Sequence, residues 1–554
     1  MNATQLLEHF DRLAEAPGAV ARLRRFILDL AVRGKLVAQD SGDEPASALL
    51  KHIGSEIVRL VKIGEMRKPK ALPRIEIEDE PFDAPSGWHW VRIRQVTSDR
   101  GQTTPVGEFT YIDVGSINKE AGVLGEHKVL SASEAPSRAR KVVGKGDVLY
   151  SCVRPTLLNI AVVEDEIKPS PIASTAFAVL NSFGLVLPRY LWIALRSPYL
   201  EAIVEAGMRG QAYPAINDAE FALLPLALPP LAEQHRIVAK VNELMTLCDQ
   251  LEAAQQERER RRDRLAAASL QRLNQPALDA TPEAQREHAR FHLHHLPRLT
   301  TRTDHIKAMR QTFFNLAVCG KLVTQEPDDE PVAKLLKRLG VNVMKARADN
   351  NSQINPSAWA WVTVDQIASV SSGTTPSRDV AEYYSSDGTP WVTSGETSNA
   401  FITATAQHVS SKALKETSLK LYPPGTLIVA MYGQGKTRGQ IAELCIAATT
   451  NQACAAIVLK LEDQGHRRYV KLFFRKIYEE IRELAAGGAQ PNLNGGKIKS
   501  TLIPLPPLAE QHRIVAKVDE LMALCDQLEA QLTTTQTDSR RLLEAVLEAA
   551  LAPI

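Results

Sequence analysis

Six polar loops in the sequence, most of them rich in glycine, carry arginine, lysine, glutamine, asparagine, threonine or tyrosine. Glycine lets a backbone approach a ligand closely. Arginine and lysine suit phosphates and guanine edges, whereas glutamine and asparagine suit adenine edges. Any enzyme surface loop can have this composition, so one loop alone does not identify a ligand. The candidate nucleic-acid-binding residues are Thr103, Thr104, Arg154, Arg209, Gln211, Tyr213, Thr374, Thr375, Tyr432, Gln434, Lys436, Arg438, Gln490 and Asn492.

Sequence motifs for catalysis or metal binding are incomplete. The segment GQGKT at Gly433 is similar to a phosphate-binding loop, but Ala430 stands where that motif requires glycine. The segment HLHH at His292 could suggest a metal site, but only His295 recurs elsewhere, as His9. We therefore predict solvent-facing histidines. Because we also find no amino-methyltransferase motif and no nuclease carboxylate cluster, we predict no catalytic residue, no metal site and no cofactor bound by this chain.

A long phrase occurs twice in the chain. LPPLAEQHRIVAKVNELMTLCDQLEA spans residues 228–253 and returns at residues 505–530 with two substitutions. Shorter anchors also return: GKLV followed by DEP, PSGWHWV as PSAWAWV, and TTP. The chain is therefore two halves in tandem, each with a helical segment, a linker, a mixed domain and a long helix.

Each copy of the phrase is predicted to begin a long helix. Two prolines break the preceding structure, and apolar residues then recur in steps of four and three, the coiled-coil pattern. At about 1.5 Å per residue, each helix would be roughly 55–65 Å long, and the two helices are expected to pack together. Cys248 and Cys525 fall on this seam as small buried residues. The charge run over residues 255–264 is interpreted as a solvated face, with a phosphate or partner contact as the alternative.

The inserts between the helices, residues 85–227 and 356–504, contain short β-rich runs followed by a helix-like stretch. This is an α+β pattern in each half. The inserts share only short anchors, whereas the helical frames are nearly identical. Gene conversion confined to the helices would explain the difference. We favour a functional explanation, in which both frames dock the same partner while the inserts bind different targets.

Composition restricts the class of protein. The chain has 554 residues, a net charge of +2 and 44% hydrophobic residues, which is ordinary for a globular protein of several domains. Six cysteines without a CxxC pair indicate a reducing compartment. The N-terminus lacks signal-peptide features, and no apolar stretch is long enough to span a membrane. We therefore expect a cytoplasmic protein without a membrane partner.

The repeated phrase, the GKLV and DEP anchors and the paired inserts strongly resemble the DNA-specificity subunit of Type I restriction–modification systems, over essentially the whole chain. The resemblance implies an α+β fold: two α+β target-recognition domains separated by two long helices packed as a coiled coil, with an internal pseudo-two-fold repeat. It implies double-stranded DNA, two methyltransferase subunits and restriction subunits as partners. S-adenosylmethionine, ATP and Mg²⁺ are then expected on those partner subunits.

The resemblance also divides the chain into segments. They are an N-terminal helical segment (1–60), target-recognition domains (85–227 and 356–504), spacer helices (228–273 and 505–554) and a linker with a central helical segment (274–345). Half-sites read from one DNA face lie roughly 10 bp apart, so the unread gap would be about 5–8 bp. Two other classes stay open: a self-contained methyltransferase or nuclease, against which the missing motifs count, and a coiled-coil adaptor whose inserts bind protein.

Overall fold

The computed structural model describes residues 15–76, 80–210, 214–275, 282–341, 358–432, 437–486 and 493–551. The chain divides into two compact units. Unit 1 is Met1–Arg258 with Gln536–Ile554, and unit 2 is Glu259–Thr535. Both divisions fall inside a long helix, so each long helix contributes residues to both units.

Unit 1 holds the first insert and the helices around it. Its helices, with the whole of the first long helix, are α1 (Ala19–Val32), α2 (Ala46–Lys62), α3 (Ile93–Val96), α4 (Pro188–Leu195), α5 (Pro198–Gly207), α6 (Asp218–Phe221) and α7 (Leu231–Asn274). Its strands are β1 (His89–Arg92), β2 (Glu108–Ile112), β3 (Ile117–Asn118), β4 (Val123–Leu124), β5 (Lys128–Ser131), β6 (Ala139–Val142), β7 (Val148–Ser151), β8 (Ile160–Val162), β9 (Pro171–Ser174), β10 (Phe177–Leu180) and β11 (Pro225–Leu228).

The first insert is closed by a two-stranded ribbon. Strands β1 and β11 pair antiparallel, with His89 opposite Leu228 and Arg92 opposite Pro225. Inside the insert, the strands form a four-stranded sheet of order β5-β2-β9-β6 and a five-stranded sheet of order β10-β7-β8-β4-β3. Because the first and last strands of the insert are neighbours, the chain enters and leaves it at the same place.

Unit 2 holds the second insert. Its helices, with the whole of the second long helix, are α8 (Pro282–Leu299), α9 (Thr303–Val318), α10 (Val332–Arg338), α11 (Val364–Ile367), α12 (Ser411–Glu416), α13 (Gln464–Ala486), α14 (Gly495–Ser500) and α15 (Leu508–Leu551). Its strands are β12 (Ala360–Thr363), β13 (Ala368–Ser372), β14 (Tyr384–Val392), β15 (Phe401–Ile402), β16 (Gln407–Val409), β17 (Leu427–Ala430), β18 (Ile441–Leu444), β19 (Thr449–Thr450), β20 (Cys454–Leu459) and β21 (Leu502–Leu505).

The second insert is also closed by a ribbon, in which β12 pairs antiparallel with β21. Its other strands form a five-stranded sheet of order β13-β20-β17-β18-β15 and a three-stranded sheet of order β16-β14-β19. The predicted α+β class, with two sheet-containing regions and long helices, is confirmed. The order and size of the sheets differ between the inserts.

The helix-like stretch predicted after the strands of the first insert is two helices. Pro198 begins α5 directly after α4 ends. Proline lacks an N–H and cannot extend a preceding helix by hydrogen bonding, but it suits a first helical position. The corresponding stretch of unit 2 contains no proline, and α13 runs unbroken from Gln464 to Ala486.

The prolines before each long helix fix where the helix begins. Helix α7 starts at Leu231, directly after two prolines, and Gln234 donates from its side chain to the Pro229 carbonyl at 3.1 Å. Helix α15 starts in the same way, since Gln511 donates to the Pro506 carbonyl at 2.8 Å. The glutamine of the repeated phrase thus ties each helix to the bend before it.

The apolar stripe of the long helices packs into different surroundings along its length. Near the start of α7, Ile237 and Val241 lie in the main apolar core of unit 1. In unit 2, Cys525 packs with Leu270 and with Ile306 of α9. Cys248 and Cys525 are both buried free thiols, as predicted. Periodicity identified the buried face without identifying what covers it.

The prediction that the HLHH histidines face solvent is wrong for His292. This ring is only 4% exposed, and its Nδ1 lies 2.9 Å from the Ser269 hydroxyl. His292, Leu296 and Leu299 follow one another at steps of four and three along α8, so they share its packed face. Burial lowers the pKa of His292 below its ordinary value, because desolvation disfavours the charged ring.

The charge run on α7 makes ion pairs within the chain. In unit 1, Arg258 pairs with Glu15 at 3.1 Å. In unit 2, Arg302 pairs with Glu259 at 3.4 Å and with Asp263 at 2.9 Å. Partly exposed pairs of this kind contribute about 0–1 kcal/mol each. The run is therefore a solvated, salt-bridged face in the described structure.

Candidate nucleic-acid interface

The start of the first long helix is where the recurring sequence anchors of unit 1 meet. Glu233 accepts a hydrogen bond from Trp88 Nε1 at 2.8 Å and one from Gln39 Nε2 at 2.7 Å. One turn later, Arg236 binds both carboxylate oxygens of Asp43, at 3.1 and 2.6 Å. We call these five residues the helix-start cluster of unit 1. It joins the helical segment, the insert and the long helix.

Unit 2 contains the same arrangement. Glu510 accepts from Trp359 Nε1 at 3.0 Å and from Gln325 Nε2 at 3.5 Å. Arg513 binds both oxygens of Asp329, at 3.1 and 2.6 Å. These residues form the helix-start cluster of unit 2. The GKLV–DEP, PSxW and AEQHR anchors are therefore parts of one hydrogen-bonded cluster in each unit.

Burial sets the protonation behaviour of the two glutamates. It raises the pKa of both Glu233 and Glu510 above their ordinary value, although the indole donors oppose this. In the same clusters, Arg236 lowers the pKa of Asp43 and Arg513 lowers that of Asp329. The clusters thus combine an ionised aspartate–arginine pair with a glutamate whose charge is disfavoured by burial.

Replacing Glu233 by Ala is expected to lower the free energy of unfolding by about 1–3 kcal/mol, because the buried Trp88 indole N–H loses its acceptor. Glu510→Ala should do the same in unit 2. The matched control is Glu243→Ala, which removes an exposed partner of Lys240 and should cost about 0.5 kcal/mol or less. Chemical denaturation of the full chain measures the free energy of unfolding of all three variants. Equal losses for Glu233→Ala and Glu243→Ala would contradict a structural role for the cluster.

The pH dependence of folding stability at this cluster follows from the direction of the glutamate pKa shift. A glutamate whose pKa is raised on folding contributes stability below its unfolded value of 4.5 and loses it as pH rises through the folded pKa. Gln is neutral at every pH, so Glu233→Gln should be the milder variant at neutral pH. As pH rises above 4.5, the stability of Glu233→Gln relative to the parent chain should rise.

The first candidate binding loop connects β7 to β8 and has an unusual backbone. Arg154 and Leu158 both adopt left-handed conformations, with φ of 49° and 52°, which are costly for residues other than glycine. The loop is held by the segment that follows α5: Arg154 N donates to Pro214 O at 2.8 Å, and Ala215 forms bridges with Val153 and with Arg209. Arg154 and Arg209 therefore lie on neighbouring loops.

Arg154 lines an open cleft of about 870 Å³ in unit 1. Arg138, Asn159 and Thr175 also line it, together with the exposed apolar side chains of Leu157 and Val153. Arginine can bind guanine, asparagine can bind adenine, and apolar groups can contact the thymine methyl. Arg138, Asn159 and Thr175 were not predicted from the sequence, since they lie in different segments and no local pattern marks them.

The remaining described candidates of the first insert have other surroundings. The Arg209 side chain is 82% exposed and pairs with Glu220 at 2.7 Å, an interaction weak enough to exchange for a ligand. Thr103 N donates to the Arg140 carbonyl at 2.8 Å, and Thr104 accepts from Arg140 at 2.6 Å. Neither threonine lines the cleft.

In the second insert, Thr374 is held by the scaffold. Its N–H donates to Thr450 O at 2.9 Å, and its carbonyl accepts from Trp391 Nε1 at 3.1 Å. A Cβ on the preceding Gly373 would lie 2.2 Å from the Thr450 carbonyl oxygen, so glycine is required there. Thr375 is half-buried beside it. Both threonines are better placed to support the loop than to reach a ligand.

The loop between β17 and β18 carries the described candidates Tyr432 and Arg438. Tyr432 is 49% exposed, whereas Arg438 is half-buried and its Nε has no hydrogen-bond partner in the part of the chain that the structure describes. A separate cleft of about 560 Å³ is lined by Arg378, Gln407 and His408. Sequence analysis predicted none of these three. The candidates outside the described residues are Gln211, Tyr213, Gln434, Lys436, Gln490 and Asn492.

Comparison with known proteins identifies the family. The model of the Type I restriction modification DNA specificity domain matches residues 356–535. The EcoAI specificity subunit of Escherichia coli is 27% identical over 568 residues, covering 96% of this chain and 94% of that protein. Residues 356–535 are thus a Type I restriction–modification DNA specificity domain, and the similarity to specificity subunits extends over nearly the whole chain. The EcoEI specificity subunit of Escherichia coli is 27% identical over 574 residues, with the same coverage.

Among solved structures, the HsdS subunit from Thermoanaerobacter tengcongensis matches with 24% identity and a TM-score of 0.47, covering 86% of this chain and 99% of that one. As a specificity subunit, the chain provides DNA sequence recognition and is not an enzyme. Within the described ranges, no cluster of histidine, cysteine or acidic residues could hold a metal ion. No helix there is long and apolar enough to cross a membrane.

Proposed function

We propose that this specificity subunit reads an asymmetric, bipartite DNA site, with one half recognised by each insert, and docks two copies of a methyltransferase subunit. Restriction subunits join the same complex. S-adenosylmethionine, ATP and Mg²⁺ belong to those partners. The proposal includes the pairing of the two long helices as a coiled coil and a pseudo-two-fold relation between the two halves.

The observation that carries the proposal is that matching frames hold different inserts. The two helix-start clusters use the same residue types, and their tryptophan and arginine contacts have nearly the same distances. The glutamine contact is 2.7 Å in one and 3.5 Å in the other. The sheets they support differ, with four and five strands in one insert and five and three in the other. Equal frames with unequal inserts fit a protein that presents two different readers to one asymmetric target.

The exposed faces of the long helices support two closely similar docking surfaces. Eight exposed residues of α7 are identical to exposed counterparts on α15: Ala232/Ala509, His235/His512, Ala239/Ala516, Glu243/Glu520, Leu247/Leu524, Asp249/Asp526, Gln250/Gln527 and Ala253/Ala530. The two substitutions, Asn242/Asp519 and Thr246/Ala523, are exposed as well. Internal packing requires identity on a buried face and not on an exposed one. A shared external partner explains the identity, and two copies of one subunit would bind two copies of one surface.

Replacing Arg154 by Ala is expected to relax one base position in one half of the recognised site, at a cost of about 1–3 kcal/mol for the correct base. Sequencing of modified bases in cells carrying the complete complex gives the motif for the parent and the variant. Arg154→Lys separates the two modes of contact, since lysine replaces arginine at a phosphate but not in a bidentate guanine contact. A parent motif without two separated halves would overturn the proposed function.

A further inference from the structure

Unit 2 contains a basic cleft of about 260 Å³ beside the β17–β18 loop. Helix α9 contributes Lys307 and Arg310, helix α13 contributes Arg475, and the polar side chains of Asn399 and Gln440 complete the wall. Gln440 directly precedes β18, so the cleft adjoins the loop that carries Tyr432 and Arg438. Small-molecule pockets usually measure about 300–1,000 Å³, so this cleft suits a smaller polar group.

Arg475 ends a row of cations on α13. Arg467, Lys471 and Arg475 are four residues apart and therefore share one helix face. Glu443 of β18 accepts from Arg467 at 3.2 Å and from Lys471 at 3.5 Å. Arg475 has no hydrogen bond or ion pair with any residue in the described ranges. One carboxylate thus serves two cations, and the third lines the cleft without an ion-paired carboxylate among the described residues.

The surroundings of Arg475 disfavour its charge. Burial lowers its pKa, and the neighbouring Arg468 lowers it further, while Asp519 acts in the opposite direction. The guanidinium is nonetheless accessible from the cleft. Across the cleft, Arg310 is neutralised by Asp526 and Glu529. A concave wall holding a cation without an ion-pair partner gains stability when an anion enters.

In the described part of unit 1, the corresponding arginine has different surroundings. Tyr190 of α4 and Tyr469 of α13 each donate to a carbonyl of the closing ribbon at 2.6 Å, which aligns the two helices. Six residues further, Arg196 donates to the carbonyls of Lys119 and Leu158 and lies 4.8 Å from the Trp192 ring. Arg196 therefore bonds within unit 1 through Nη1, although its buried Nε has no hydrogen-bond partner among the described residues. Of the two arginines, Arg475 alone lacks a hydrogen bond in the described ranges.

We propose that this cleft binds a backbone phosphate of the DNA recognised by the second insert. The proposal rests on the proposed function. A phosphate oxygen accepts hydrogen bonds only, which matches guanidinium, ammonium and amide donors. The position beside the β17–β18 loop favours DNA, since phosphate contacts fix the register of a reading element without carrying sequence information. An acidic segment of a partner protein is the alternative that the test excludes or reveals.

The test measures binding of the assembled complex to a duplex that carries its methylation motif, over a series of salt concentrations. Arg475→Gln is expected to lower the slope of log affinity against log salt by about one unit and to leave the motif unchanged. Lys307→Gln should act in the same direction, and Arg475→Lys should restore the slope. Lys460→Gln is the matched control, because Lys460 is an exposed cation of unit 2 bonded to the Gln366 carbonyl outside the cleft.

Three outcomes would count against the cleft. Parent-like slopes for both Arg475→Gln and Lys307→Gln would overturn it while the proposed function stood. Weaker assembly with the methyltransferase subunit in the absence of DNA would assign the cleft to a protein partner instead. If the parent complex bound no duplex in a sequence-specific manner, the proposed function itself would fail. Unfolding midpoints for each variant identify a loss that comes from misfolding.

Discussion

Exchanging residues 85–227 for the insert of another specificity subunit is expected to change one half of the recognised site completely and to leave the other half unchanged. The reason is the closing ribbon. Its outer pair, His89 with Leu228, brings both ends of the insert together, so a foreign insert meets the frame at one place. The five-residue cluster at Trp88 and Glu233 then seats the incoming insert, provided that it carries its own tryptophan.

A second exchange sharpens this expectation. Placing this chain's own residues 356–504 at both positions should give a site with two inverted copies of one half-sequence, because the proposed pseudo-two-fold relation would present the same reader twice. Sequencing of modified bases in cells carrying each chimera, with the parent chain as control, reads out both motifs. A chimera that changed both half-sites, or neither, would show that the inserts do not act as separate readers.

Leu247→Asp and Leu524→Asp are each expected to remove one of two methyltransferase subunits from the complex. These leucines are 51% and 47% exposed at matching positions on the closely similar faces of α7 and α15. Burying a leucine in an interface contributes about 1.5–3 kcal/mol, so losing it should weaken each docking event by about 10- to 100-fold. A buried carboxylate adds a further penalty. The double variant should bind neither subunit.

The mass of the assembled complex, measured by native mass spectrometry at fixed subunit concentrations, distinguishes two bound subunits from one and from none. The matched control is Leu265→Asp, which changes a 49% exposed leucine of α7 outside the repeated phrase. If that control lost a subunit as readily, or if both single variants kept two, these closely similar faces would not be the docking surfaces.

Predictions from the sequence succeeded where the interactions are local and failed where they join segments far apart in the chain. The starts of the long helices were predictable because paired prolines and apolar spacing act locally. Burial of His292 was not, because its polarity suggested solvent while its position in the α8 stripe placed it in the core. Arg138 and Asn159 were missed because they join Arg154 in one cleft only after β6 and β8 have taken their places in the sheets.

The sequence by itself determined the tandem repeat, the long helices, the α+β character of the inserts and the family. These follow from local periodicity and from comparison of one segment with another. Only the tertiary structure decided why the anchors recur. Gln39 and Glu233 are 194 residues apart in the chain, and Trp88 and Glu233 are 145 apart, yet they meet in one hydrogen-bonded cluster. Contacts at such separations depend on the packing of several elements at once, which no local pattern encodes.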